Sequence, residues 1–202
     1  GGSQEEWQSL AQHLRNVSTL TATFSAKFNA QDWGRLAGLA HDLLKSNPRW
    51  QAYLCASAAG KRPSKVDHKK ASASVLLALA DDPAHPVQSQ AARRMLAKLV
   101  AFAVAGHHGG LPNGLQDGSS LEGQLTPFIP TDVTQRPDSD WPPYSWAEQA
   151  FALARLPLER LPGQPPQFLQ ASTQKDIVFR ACFFVRLLFS CLVDADFLDT
   201  ER

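Results

Sequence analysis

Residues 173–199, TQKDIVFRACFFVRLLFSCLVDADFLD, decide the fold class. The stretch is dense in Ile, Val, Phe, Leu and Cys. Counting back from Asp196 in steps of three or four meets Leu192 or Val193, then Phe189, then Val185, which is the phase of an α-helix. Asp196 therefore lies on the apolar stripe. Counting back from Asp194 meets Ser190 and Arg186 instead. The two aspartates stand about 200° apart on an ideal helix, so they cannot easily serve one site, and Asp196 is the inward one. A buried carboxylate is costly unless it meets a charge, a donor or a metal. Asp196 is then either a structural ion pair or helix-end cap, or a ligand.

The same period recurs toward the N-terminus. Leu10, Leu14, Val17, Leu20, Phe24 and Phe28 predict a helix over about 5–28, with His13 beside the stripe. A second helix is expected from Asp32, as N-cap, through Leu44, with His41-Asp42 near its end and Pro48 enforcing a break. Residues 57–67 read as a loop. His68 opens a third helix through Leu79, and a fourth covers Val87 to Ala105, stopping at Gly106-His107-His108-Gly109-Gly110. Residues 111–145, rich in Pro, Gly, Ser and Asp, read as a long loop insertion, either plain surface or a functional lid. A short helix near Trp146–Leu156 and a linker from Pro157 to Pro166 precede the last helix. Alternating β-type segments are absent, so the class is all-α: a helical bundle with a long Pro/Gly-rich loop insertion.

The 202 residues suit a single domain spanning 1–202, with Gly1-Gly2-Ser3 reading as a cloning remnant. At 44% hydrophobic and 19% charged, the chain is expected to bury a core and not to be disordered. A formal net charge of +1 predicts no strong global attraction to nucleic acid. A polyanion would need bound metal or a local cluster such as Lys61, Arg62, Lys65, Lys69 and Lys70, which reads equally as a solvated loop and helix start. The three cysteines form no CxxC. Cys182 and Cys191 are expected to be buried thiols, and the odd count leans toward a reducing compartment, with a cytoplasmic location expected. No membrane span is visible, because the most apolar run is interrupted by Arg186 and is too short.

Six histidines remain to be placed. His85, between Pro83 and Pro86, reads as a loop residue. His41 and Asp42 close an apolar helix and can both reach one cleft, although the dipeptide alone is common. His107 and His108 sit between glycines that let backbone and substrate approach closely. They are either a solvent-facing turn or a ligand pair. With His13, His68 and Asp196, this makes five histidines and two aspartates on five segments, too many for one ordinary metal site. It is the inventory of two metals sharing a bridging carboxylate, a device for in-line attack on phosphorus. Imidazole-rich ligation favours Mn, Fe, Co, Ni or Zn over a magnesium-only site.

The segments LAQHLRNV, LAGLAHDLLKSNPRWQAYL, VDHKKASASV, VAGHHGGL and FVRLLFSCLVDADFLDTER resemble the HD-domain metal hydrolases. More narrowly, they resemble the HD nuclease domain of the CRISPR-associated helicase-nuclease of type I systems. The resemblance runs through nearly the whole chain and is weak over 112–172. It implies that His13, His41, Asp42 and Asp196 surround one divalent metal, that Asp42 bridges to a second, and that His68, His107 and His108 complete that second site. Mn, Fe, Co or Ni is expected, with Mg or Zn as alternatives. Lys45 matches the lysine that follows the His-Asp pair in the family and would face the scissile phosphate or a leaving oxygen. A solvated lysine at a helix end is its plainer reading. Two positions depart from the family pattern: Leu44 replaces a glycine, which could narrow the approach or shift Lys45, and Lys69 replaces a serine.

The resemblance further implies cleavage of single-stranded DNA, with RNA ends acted on by some members. Its implied partners are a superfamily 2 helicase domain or subunit and an RNA-guided CRISPR surveillance complex. No phosphate-binding Gly-Lys-Ser/Thr loop occurs in this chain. The alternatives are an HD phosphohydrolase acting on nucleotides or cyclic nucleotides, and a catalytically decayed docking domain.

Overall fold

In the computed structural model, which describes residues 8–64, 68–86, 89–111, 144–170 and 173–201, every regular element is helical. Helix α1, Leu10–Ser25, starts where the Ser9 side chain accepts the Gln12 N–H, a standard solution for the orphan donors of a first turn. A 3-10 turn, Ala26–Phe28, and Asn29 in the left-handed region (φ 55°) reverse the chain into α2, Gln31–Ala40. The expected N-cap Asp32 lies inside the first turn of α2, and Ala30 occupies the cap position.

α1 and α2 form an antiparallel pair in unusually close contact. A Cβ added to Gly38 would stand 2.6 Å from the Ser18 backbone nitrogen, and one added to Gly34 would stand 2.7 Å from the Thr21 carbonyl oxygen. Glycine one turn apart on α2 is what lets the two backbones touch. Ser18 Oγ donates to the Arg35 carbonyl at 2.9 Å across the same seam. The pairing sets His13, near the start of α1, against His41, just past the end of α2.

The second helix ends before Leu44. At Asp42 the backbone leaves helical geometry (φ −119°, ψ 16°) and continues as a 3-10 turn, Leu43–Ser46. Pro48 then begins a helix: α3, Pro48–Ala58, has proline in its first turn and Asn47 accepting the Arg49 N–H. Proline suits that position because its missing N–H would have no partner there. The first two residues of the loop expected at 57–67 belong to this helix. No residue of α3 is buried.

α4, Lys69–Leu79, is the most enclosed element, with every residue from Ser72 to Leu79 buried. It packs against α5, Gln90–Gly106, and α6, Tyr144–Leu153, where Trp146 Nε1 donates to Ser74 Oγ at 3.0 Å. α7, Gln174–Thr200, is capped by Thr173, whose hydroxyl accepts the Asp176 N–H, and lies across α1, α2 and α5. Leu14, Val17, Leu36, Val100, Leu188 and Leu192 fill the space among them. Burying each such side chain contributes about 1.5–3 kcal/mol.

The expected burial of the cysteines needs correction. Cys182 is exposed, on the face of the first half of α7 that also leaves Val178, Phe179 and Phe183 in solvent, and Cys191, farther along the helix, is half-buried. His85 does lie in a loop, yet it is buried, and its Nε2 donates to the Leu161 carbonyl at 2.9 Å. The loop expected at 111–145 falls almost wholly outside the described residues. Among the described residues no helix is long and apolar enough to cross a membrane.

Candidate metal centre

The histidines and aspartates sit at helix ends, and local hydrogen bonding explains their orientation. His41 is the C-cap of α2 and His107 the C-cap of α5. Each turns its Nδ1 back to the carbonyl three residues earlier: His41 to Gly38 at 2.7 Å and His107 to Val104 at 2.6 Å. Those carbonyls belong to last turns that lack the next intrahelical donor. His13, one turn into α1, places its Nδ1 2.8 Å from Asp199 Oδ2. A carbonyl or ionised carboxylate oxygen can only accept, so each of these rings carries its hydrogen on Nδ1 and its lone pair on Nε2. The three Nε2 atoms face one another across the centre. His13 Nε2 and His41 Nε2 are 3.2 Å apart, a repulsive arrangement for two lone pairs that a shared cation or proton relieves.

Asp42 lies at the centre with 1% of its surface exposed. Its Oδ1 is 2.9 Å from His68 Nε2 and 3.4 Å from His107 Nε2. Its Oδ2 is 3.5 Å from His41 Nε2, 3.9 Å from His13 Nε2, and paired with Lys45 Nζ. Despite this proximity, both Asp42 oxygens and the Nε2 atoms of His68 and His107 lack hydrogen-bond geometry. Buried polar atoms are rarely left so. Asp196, from the inward face of α7, brings Oδ1 to 3.4 Å from His13 Nε2 and 3.5 Å from His41 Nε2.

Three sets of donor atoms are close enough to hold a metal: Asp42 with His68, His107 and His108; His13 with His41 and Asp42; and His41 with His107 and Asp196. Asp42 belongs to the first two, offering one oxygen to each side. The mixture of imidazole nitrogen and carboxylate oxygen suits a divalent transition metal. Two helix C-termini, with their exposed carbonyl dipoles, add a field that favours a cation. The orphaned atoms, the fixed tautomers and the donor chemistry all fit a bound metal.

Charge follows the same pattern. Burial would raise the Asp42 pKa, but His41, His107, His68 and Lys45 outweigh it and hold the carboxyl well below the usual carboxylate range. Asp196 is likewise held low, with His13 and His41 overcoming its burial. Burial opposes protonation of His13, yet Asp196 and Asp199 prevail and its pKa is raised. His108, at the solvent edge, is pushed down to about 4 by burial and by its neighbour His107, so it stands neutral and able to ligate at physiological pH.

All eight site residues anticipated from sequence, His13, His41, Asp42, Lys45, His68, His107, His108 and Asp196, converge here. Asp194 points to solvent. Of the basic cluster, Lys61 and Arg62 are exposed and Lys69 and Lys70 half-buried, while Lys65 falls outside the described residues. Leu44 does not narrow the approach: its side chain is buried in the core and its N–H donates to Ser72 Oγ at 3.1 Å. Lys69 reaches toward the turn after α5, where a Cβ on Gly109 would stand 3.6 Å from its Nζ.

The sequence reading missed Asp199. It is buried, accepts from Asn16 Nδ2 at 2.8 Å and Gln8 Nε2 at 3.1 Å, and fixes the His13 ring. These bonds hold its carboxyl below the usual range against the cost of burial. Its spacing three residues after Asp196, on the same helix face, was the available signal. The family model for the HD domain matches residues 10–136, well over half of the chain. No curated protein matches the chain.

Proposed function

The chain belongs to the HD-domain family, and we propose that it is a metal-dependent nuclease that hydrolyses phosphodiester bonds of single-stranded DNA. In this reading residues 1–202 act as one HD-type nuclease domain in the cytoplasm. A superfamily 2 helicase would feed it a strand displaced by an RNA-guided type I CRISPR surveillance complex. The observation that carries the hydrolytic reading is Asp42: a buried carboxylate with each oxygen turned to a different pair of imidazoles. The substrate and partners rest on the resemblance of the five sequence segments described above.

His13, His41, Asp42 and Asp196 would hold one divalent ion, and Asp42, His68, His107 and His108 a second. Such ions supply Lewis acidity toward a phosphodiester and an ionised water at neutral pH. The protein's own contribution is orientation. Gly38, Val104 and Asp199 hold three imidazoles in the tautomer that presents Nε2 inward. Lys45, at the solvent edge beside Asp42, places a positive charge where phosphate oxygens would gather charge in the transition state. Gly109 and Gly110 add no side chains of their own to the rim beside His108, where Lys69 Nζ reaches in, so a polymer backbone can approach a positive charge there.

The test begins by stripping the protein with chelator and adding Mn²⁺, Co²⁺, Ni²⁺, Fe²⁺, Zn²⁺ or Mg²⁺ separately. Circular single-stranded DNA, matched duplex and single-stranded RNA serve as substrates, with Asp42→Ala as the blank. The expected result is about two ions bound and cleavage of the circular single strand, both lost in Asp42→Ala. Hydrolysis of mononucleotides with no cleavage of polymer would replace the nuclease by a small-molecule phosphohydrolase. Failure to bind any metal would end the hydrolytic reading.

A further inference from the structure

The metal centre does not account for α3. The chain passes directly from Lys45 through Asn47 into this helix, and none of its residues is buried. It nevertheless carries Trp50 and Tyr53, large aromatics that a globular protein would ordinarily spend on its core. The two rings are adjacent, with centroids 6.5 Å apart. Trp50 also stands edge-on to His68, centroids 5.8 Å apart, and beneath Lys45, whose Nζ is 5.4 Å from the ring centroid. An aromatic surface thus begins in contact with the candidate site and runs outward along the helix.

The segment of chain that carries it has charge of one sign. Residues 43–64 contain Lys45, Arg49, Lys61 and Arg62 and no aspartate or glutamate, in a chain whose formal net charge is only +1. Lys45 marks the site end of the helix, and the exposed Lys61 and Arg62 mark the far end, about 16 Å away by helical rise. Half-exposed aromatic faces flanked by cations complement a single-stranded nucleic acid: bases have π-faces to stack, and phosphates seek positive charge. A small-molecule site would need enclosure, which an unburied helix does not provide.

We infer that Trp50 and Tyr53 of α3 form a base-stacking platform that seats the unpaired nucleotides next to the scissile phosphate, with Arg49, Lys61 and Arg62 tracking the backbone. This rests on the nuclease reading for its purpose, but it makes a separate claim about binding. The platform recognises bases through their faces, so it is indifferent to sequence and requires the strand to be unpaired.

The experiment measures binding of the metal-free protein to two fluorescent oligomers of equal length and charge by anisotropy. One is oligothymidylate and the other carries abasic sugars throughout. Wild type is expected to bind the base-bearing strand about tenfold more tightly, the effect of one stacked base. Trp50→Ala with Tyr53→Ala should abolish that discrimination, and Trp50→Phe should retain most of it. Lys61→Ala with Arg62→Ala should weaken both oligomers alike and reduce the salt dependence. Equal binding of both oligomers by wild type, or discrimination that survives the double aromatic substitution, overturns the platform. A wild type that discriminates but never cleaves leaves the platform standing and removes the nuclease reading.

Discussion

Asp199→Asn tests whether orientation of His13, and not mere proximity of charge, builds the metal centre. Asp199 Oδ2 takes the His13 Nδ1 hydrogen at 2.8 Å, while its Oδ1 is held by Asn16 at 2.8 Å. An asparagine has nearly the same shape but only one acceptor oxygen. With that oxygen toward the Asn16 amide, the new NH₂ faces His13 and Gln8, and the Gln8 amide, which donated to Oδ2, turns its own oxygen to it. The ring then places its hydrogen on Nε2 and withdraws the inward lone pair. One donor of one site is impaired and none is removed, so metal affinity should fall about 10–100-fold at the site that includes His13, or roughly 1.4–2.8 kcal/mol. The site that includes His68 should be spared. Calorimetric titration with Mn²⁺ reads the two steps, and Co²⁺ absorption reports the change of ligand set.

The pH dependence adds an independent signature. In wild type the raised His13 pKa makes protons compete with metal from above pH 6.5 downward. Losing Asp199 lowers that pKa and moves the competition to lower pH, so the deficit of the variant should shrink in acid. Two binding steps of wild-type affinity in Asp199→Asn, or a deficit independent of pH, would refute the reasoning.

Gly38→Ala should cost about 1–3 kcal/mol of stability, because its Cβ would stand 2.6 Å from the Ser18 nitrogen and 2.9 Å from the Val17 carbonyl carbon, and backbone cannot yield without separating α1 from α2. A urea midpoint equal to wild type would show that the seam is looser than described. Stability of the metal-free protein should peak near pH 6.5. The raised His13 pKa contributes stability that is full below 6.5 and is lost as pH rises through its folded value. His108, lowered to about 4, contributes stability present above 6.5 and lost as pH falls toward 4. Urea midpoints in chelator at about pH 5, 6.5 and 8 test this: a steady rise across the three contradicts the His13 assignment, and a steady fall contradicts the His108 assignment.

Helical phase by itself determined the all-α class and separated Asp196 from Asp194, since 100° per residue is a property of the local backbone. Some breaks, such as the stop at Gly106, were legible for the same reason: proline, glycine and small polar residues act within a turn of where they stand. Pro48 shows the limit of that locality. It is equally able to end a helix or to begin one, and only the 3-10 turn that releases the chain at Asp42 decides that α3 starts there. The apolar density of α7 likewise could not say which of its apolar residues would be covered, so Phe184 is buried while Cys182 and Phe179 emerge in solvent.

The candidate site divides along the same line. Its residue types and their helix-end positions are written in the sequence. Their tautomers are not, because the atoms that fix them come partly from far along the chain: Asp199 reaches His13 across 186 residues. Whether Asp42 stands between two groups of imidazoles depends on how closely α1 and α2 approach, and on α4, α5 and α7 delivering their ends to one point. Those distances follow from packing at Gly34 and Gly38 and from burial of the core, which sequence spacing does not encode and the tertiary structure alone decides.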